Sequence, residues 1–309
     1  MRFALPVTEA SEIKPLLEAG ADEFYCGYQD HRWRESWGDH DSLSRRQGAA
    51  NVDCREALAC IAREAGLLGA PVWLALNSCY SPPQYGYLIE LAQQWAALGG
   101  HGVILRDLAL LSLLKGLELP LFFSISLLAV AANSAALRFF QEQGADRVVL
   151  PRFIPPLDLQ EMLAAAPGLE YEAMVMDDGC PLIDGYCRSI HATGYPPRSD
   201  NAPAERIIQT FDIGGSAHHL CQALGRSFDQ PPACAACSLP LLEQAGVGVG
   251  KFGGRGTPLR QRLEKLRFLR AAAALDSDGQ RAQRYQRLFG PCNCYYPRPA
   301  SALRERRWS

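Results

Sequence analysis

The feature that most constrains this chain is a unit repeated along it: a helix-like segment ends at glycine, one to three residues follow, and a short apolar run begins. PLLEAGADEFYCG, WAALGGHGVILRD, FFQEQGADRVVLPR and LLEQAGVGVGKFGGR are the clearest copies. Glycine suits the left-handed position just past a helix end. The runs after it are short and apolar, as buried parallel strands are. Helix–glycine–strand units at this density point to an alternating βα fold. Eight strands can be placed, at Arg2–Pro6, Glu23–Cys26, Pro71–Leu76, Gly102–Leu105, Leu121–Ser124, Arg147–Leu150, Glu170–Val175 and Gly246–Lys251. Helical segments are expected between most of them, for example over Glu12–Ala19, Arg55–Ala65, Tyr87–Ala97, Ala132–Gln143 and Leu157–Ala165. Eight such units are what a (β/α)8 TIM-like barrel requires. A doubly wound open sheet has the same periodicity, because periodicity alone does not show closure.

A chain of 309 residues accommodates one such barrel with additions. Residues 1–256 are expected to form it, including a cysteine-rich insertion at 177–237 after the seventh strand. Residues 257–309 read as a basic helical extension, RQRLEKLRFLRAAAAL, followed by a Cys-x-Cys tail, GPCNCYYPRP, packed on the barrel. Residues 28–53 are polar, carry His31, Trp33, Trp37 and His40, and read as a long loop after the second strand. Insertions after barrel strands fall on the C-terminal face, where active sites sit.

No apolar run reaches the roughly 18 residues needed to span a bilayer. The opening segment MRFALPVTEASE lacks the apolar core of a secretion signal, so a cytoplasmic protein with no membrane span is expected. In a reducing cytosol the eleven cysteines are not expected to form disulfides, which leaves metal or cluster binding as the natural use. Net charge is −2 but uneven: from Lys251 onward there are fourteen Lys and Arg against four Asp and Glu, and the first 250 residues carry seventeen against twenty-nine. A basic C-terminal region suits RNA, a partner or an anionic substrate, or is simply a solvated helix face.

The sharpest local pattern is GCPLIDGYC, with Cys180 and Cys187 just after the seventh strand. PPACAACSLP follows, with Cys234 and Cys237 spaced so that two thiolates reach one metal or cluster. Strands seven and eight are neighbours in a barrel, so the two pairs can converge there, and four thiolates suit zinc or an iron–sulfur cluster equally on spacing. Cys221, in AHHLCQAL, and Cys292 and Cys294, in GPCNCYYP, are alternate ligands. Cys26, Cys54, Cys60 and Cys79 are scattered on element-like segments and read as core filling. Arg152, Lys251 and Arg255 sit at strand ends and Arg45 with Arg46 in the first long loop. Arginine forks would bind carboxylates of a small anionic substrate, or pair structurally with Asp107, Asp177 or Asp178. Asn77 and Ser124 end strands as pocket hydrogen-bonding groups or as caps.

The segment YEAMVMDDGCPLIDGYCRS resembles the signature of peptidase family U32, the collagenase-like family: a Glu-led strand, a short glycine-containing turn, Cys, six residues, Cys, then Ser. GADEFYCG, SRRQGAANV, PVWLALNS, GADRVVLPR and AGVGVGKFGGR resemble further strands and loops of that family, in the right order over residues 1–270. The resemblance implies a β/α barrel holding a 4Fe–4S cluster, with zinc as the alternative metal. It also implies oxygen-independent hydroxylation: small members act on the ubiquinone ring as a pair of related proteins, others on a tRNA or rRNA base with prephenate involved. A small anionic or aromatic substrate, a hetero-oligomer with a related U32 protein, and RNA are therefore the expected partners, and a non-catalytic cluster-binding or sensor subunit is the alternative. The chain departs from the pattern where the family places its third cysteine in an Asn-Arg-Gly-x-Cys setting. Here the stretch reads ATGYPPRSDNAPAE, and Gly253 stands where a Glu is usual. Cys234 and Cys237 replace the missing ligands by spacing. Protease chemistry would need a Gly-x-Ser-x-Gly elbow or a His-Glu-x-x-His helix, which the chain lacks. It would otherwise need a thiolate paired with His191, His218 or His219.

Overall fold

The computed structural model describes residues 1–38, 43–44, 46, 48–177, 185 and 231–296. Eight parallel strands close into a barrel in sequence order: β1 (Arg2–Pro6), β2 (Glu23–Gly27), β3 (Val72–Leu76), β4 (Gly102–Leu105), β5 (Phe122–Ile125), β6 (Arg147–Val149), β7 (Glu170–Met176) and β8 (Val249–Phe252). Closure is direct, with Arg2 beside Val249 and Ala4 beside Lys251. The open-sheet alternative is thereby excluded. The helices are α1 (Ile13–Glu18), α2 (His31–Trp37), α3 (Arg55–Leu67), α4 (Tyr85–Ala97), α5 (Leu108–Lys115), α6 (Ser134–Glu142), α7 (Pro156–Ala164), α8 (Leu239–Gln244), α9 (Leu259–Ala273) and α10 (Asp278–Phe289). The glycines of the four repeated units, Gly20, Gly99, Gly144 and Gly246, all have positive φ, which is why each helix ends there and its strand follows at once. No helix among the described residues is long and apolar enough to cross a membrane.

The expected loop over 28–53 contains α2. Asp30 caps this helix by accepting from the Trp33 backbone N–H at 3.0 Å, and the carboxylate also accepts from Tyr87 at 2.7 Å and Tyr28 at 2.9 Å. Trp33 is buried against Trp37, Tyr80 and Tyr87, so a segment that reads as polar is pinned by aromatic packing.

One layer of side chains, between barrel and helices, is apolar: Phe3, Leu5, Phe24, Leu74, Val103, Ile125, Val148 and Val175. The barrel interior is not. Arg147 on β6 reaches across to Glu23 on β2, the strand opposite, through two bonds of 2.6 and 3.0 Å. The same guanidinium donates to Glu170 at 2.6 Å and Glu172 at 3.3 Å and lies 4.3 Å from the Trp73 ring. Glu172 accepts from Lys251 at 2.6 Å, and that ammonium sits 4.2 Å over the Tyr25 ring. Such barrels are ordinarily filled by Val, Ile and Leu. Here a chain of ion pairs on aromatic faces fills the space, each charge meeting a partner it must have when desolvated. Gly102 makes room for Trp73, since a Cβ there would stand 2.5 Å from its ring and 2.5 Å from the Phe122 carbonyl oxygen.

Burial pushes the Glu172 carboxyl up, but Lys251 and Arg147 outweigh it and hold the group below the usual carboxylate range. A depressed carboxyl contributes stability that is present above its unfolded pKa of about 4.3 and is lost as pH falls through the folded value. The urea midpoint is therefore expected to fall between pH 6 and pH 3.5, with a shallower fall in Glu172→Gln. Equal slopes in the two proteins would show that Glu172 does not drive the loss.

Candidate functional site

Strand ends place the candidates at the C-terminal mouth. Arg255, past β8, is buried, and its guanidinium donates to Asn51 Oδ1 at 3.2 Å and Ser44 Oγ at 3.1 Å. It thereby fastens the loop after β2, where Ser44 also donates to Asn51 at 3.0 Å and the Asn51 amide to the Arg46 carbonyl at 2.6 Å. The guanidinium passes over Gly27, where a Cβ would fall 1.7 Å from Arg255 Nη1 and 2.2 Å from Asn51 Oδ1. Lys251 lies inside the barrel on Glu172. Arg152 is buried after β6 with the Tyr295 ring 5.9 Å away. Asn77, after β3, donates to Ser126 Oγ at 3.4 Å. Ser126 caps the single turn Leu127–Ala129 by accepting from the Leu128 N–H at 3.3 Å. Ser124 is buried in β5, on the barrel wall. Arg45 lies outside the described residues.

Arg106, which the sequence reading passed over, and Asp177, which it offered as an ion-pair partner, also stand at this mouth. Asp177 follows β7 in a left-handed conformation, φ 68°, and accepts a bond from Lys265 of α9. Arg106, past β4, donates to the Gly185 carbonyl at 3.0 Å. Lys265 shares a helix stripe with Leu266 and Leu269, which is the signal that it faces inward.

Cys180, Cys187 and Cys221 lie outside the described residues. Cys234 is buried beside the end of β7. It pairs with Met176 in an antiparallel bridge and with Cys294 in a parallel one. Its N–H donates to the Asn293 carbonyl at 2.8 Å, and its carbonyl accepts from the Tyr295 N–H at 3.1 Å. The Cys-x-Cys tail is thus joined in register to the Cys-x-x-C segment, and Tyr296 anchors it with a 3.0 Å bond to the Met174 carbonyl. Bridge partners in a sheet project to the same side, which places Cys234 and Cys294 side by side on one face of this pairing. The Cys237 and Cys292 thiols turn instead onto carbonyls of α10, Asp278 at 3.7 Å and Ala282 at 3.9 Å.

Burial pushes the Cys234 thiol up to about 12, against the Ala236 N–H that donates to its sulfur at 3.2 Å. Without a metal the thiol keeps its proton; a metal would replace that proton. The donor chemistry, soft sulfur with a backbone N–H aimed at it, suits an iron–sulfur cluster or zinc. Among the described residues no three His, Cys, Asp or Glu side chains stand close enough to share one ion.

Among the described residues, several basic side chains of the C-terminal region turn inward. Arg262 donates to the Thr257 carbonyl at 3.0 Å and pairs with Glu12, while Arg270 pairs with Asp22. Lys265 holds Asp177, and Arg281 holds Asp278 at 2.8 Å. Arg260, Arg267, Arg284 and Arg287 remain exposed on α9 and α10.

Fold and mouth together define a closed (β/α)8 barrel with cysteine-bearing segments gathered at the C-terminal end of β7. The family model described as peptidase family U32 matches residues 8–287, and the chain belongs to that family. It is 26% identical over 184 residues to the tRNA hydroxylation protein P of Escherichia coli (strain K12), a match covering 59% of this chain and 37% of that protein. The chain thus matches little more than a third of that curated relative's length. Among solved structures it is similar to the U32 peptidase Mk0906, with TM-score 0.43, 18% identity, 57% of this chain and 68% of that one covered. It is also similar to a dihydrodipicolinate synthase from Agrobacterium tumefaciens str. C58, with TM-score 0.47, 12% identity and 92% and 78% covered.

Proposed function

We propose that this chain is a cytoplasmic 4Fe–4S barrel protein that takes part in hydroxylating a small molecule or an RNA base without molecular oxygen. The reading rests on membership of family U32, on a relative named for tRNA hydroxylation, and on the geometry around β7. The observation that carries it is the pairing of the Cys234 segment with the Cys-x-Cys tail at the end of β7, the strand from which the Cys180 and Cys187 segment departs. Cys180, Cys187, Cys234 and Cys237 would hold the cluster, with Cys221, Cys292 and Cys294 as alternates. A bound cluster supplies electron transfer or activation of an oxygen donor. The chain's own groups bind and orient: the Arg152 guanidinium beside Tyr295 offers a cation and an aromatic face to an anionic or aromatic substrate, and Asn77 with Ser126 offers hydrogen bonds. The exposed arginines of α9 and α10 are the surface for RNA, and a related U32 protein is the partner for a hetero-oligomer.

Isolation without oxygen, followed by iron, sulfide and zinc analysis and a visible spectrum, tests this directly. Iron and sulfide in equal amounts are expected; zinc alone, or no metal, ends the cluster reading. Cys180→Ser, Cys187→Ser and Cys234→Ser are each expected to lower bound iron at least about tenfold. The register makes Cys294 the competitor of Cys237 for the fourth position, so the serine variant that loses iron names the ligand.

A further inference from the structure

We propose that the column of charges inside the barrel ends in a carboxylate subsite at Lys251, and that the mouth there takes a small monocarboxylate with a flat apolar body. The inference rests on the mouth as the binding region and names its substrate class; it does not depend on the cluster. Strand register sorts the inward side chains into layers drawn from alternate strands. Glu23 and Arg147 lie lowest, Glu172 one layer up, and Lys251 with Tyr25 above it. The column therefore alternates in sign, and each member is bonded to the next: Arg147 to Glu23 at 2.6 Å and to Glu172 at 3.3 Å, and Lys251 to Glu172 at 2.6 Å. It ends on a cation on the mouth side, where an anion continues the alternation.

Hydrogen bonding points the same way. An ammonium has three donors and no acceptor. One N–H of Lys251 goes to Glu172, and the Tyr25 ring covers a second side at 4.2 Å. Among the described residues, Ser124 Oγ and Trp73 Nε1 are buried without hydrogen-bond partners, and register puts both in the layer of Glu172, just beneath Lys251. Buried polar groups of this kind call for a guest. Both can donate, so the guest must bring acceptors, and a carboxylate brings two oxygens with about four lone-pair sites. The Arg255 guanidinium passes over Gly27, the inward residue above Tyr25 on β2, and adds positive charge on the same side of the mouth. The inward residues next above Lys251 are apolar, namely Pro6, Ala75 and Met174, and Gly253 follows it on β8 with no side chain. That lining suits a hydrocarbon body behind the carboxylate.

Calorimetric titration of the full chain with phenylacetate, and with phenylacetamide as a neutral body of the same shape, tests the subsite. The acid is expected to bind about tenfold or more tighter than the amide, as a charge-assisted bond exceeds a neutral one. Lys251→Met is expected to erase that preference and Lys251→Arg to keep part of it. Glu172→Gln is expected to tighten acid binding about threefold or more, because the ammonium is no longer shared with a protein carboxylate. A second readout needs no variant: at about ten times its Kd, phenylacetate should slow reductive methylation of Lys251 about tenfold in wild type, with exposed Lys14 unchanged. Equal binding of acid and amide, or a Lys251 left unprotected, overturns the subsite. Equally strong competition by inorganic phosphate would make it a general anion site and overturn the carboxylate assignment. Iron analysis is separate: a chain without iron loses the cluster reading and keeps the subsite if Lys251 is protected, whereas an iron-bearing chain that binds no acid keeps the cluster and loses the subsite.

Discussion

Arg147→Met is expected to destabilise the protein by about 3–5 kcal/mol, the loss typical when one member of a buried ion network is removed. Arg147 is almost wholly buried and binds Glu23 from the opposite strand while touching Glu170 and Glu172. Methionine keeps much of the volume but leaves Glu23 a buried charge without its two-point partner. That loss is a large share of the whole stability of an ordinary domain. Urea unfolding measures it, as a lower midpoint at unchanged slope. Replacing Glu23 and Glu172 with leucine in the same background should recover most of the loss, because an apolar interior no longer needs the cation. A shift under about 1 kcal/mol for the single variant would mean that water screens the network and that the barrel interior is wet.

Gly27→Ala is the second large effect, expected to cost about 1–3 kcal/mol as an overpacked site. The added methyl would occupy the path of the Arg255 guanidinium, which must move off Asn51 and Ser44. The cost should therefore depend on Arg255. In an Arg255→Ala background Gly27→Ala should cost under about 1 kcal/mol, and the difference is a coupling that a double-mutant cycle isolates. Equal costs in both backgrounds would show that the arginine does not set the requirement for glycine. Protease cleavage in the loop after β2 should rise with the single variant, since its fastening is lost.

The barrel was legible because its signals are local. Each repeated unit carries its own stop glycine and its own apolar run, and the eight expected strands lie within a few residues of those observed. The interior was not legible, because Glu23 and Arg147 stand 124 residues apart and meet only through closure. The hint was present: Glu23 and Arg147 each open a strand with no other charge, and Glu170 and Glu172 alternate with apolar residues in β7. Lys251 and Arg255 were singled out as candidates to bind substrate, and their structural partners, Glu172 and the Ser44–Asn51 pair, were not legible because they come from distant loops and strands. Arg262 and Lys265 read as part of a solvated basic face because their charge hides that they fall on the stripe of Leu266 and Leu269. The register of Cys294 on Cys234 depends on where the last helix returns the chain, and no spacing rule carries that information.

The pairing of β1 with β8 has a consequence for how the molecule is made. A ribosome adding roughly 5–20 residues per second delivers Arg2 tens of seconds before Val249, its neighbour in the finished ring. Throughout that interval the nascent sheet presents two unpaired borders, of the kind that recruit foreign strands. Early protection by a chaperone, or pausing late in translation, would act on this one seam more than on any other part of the chain.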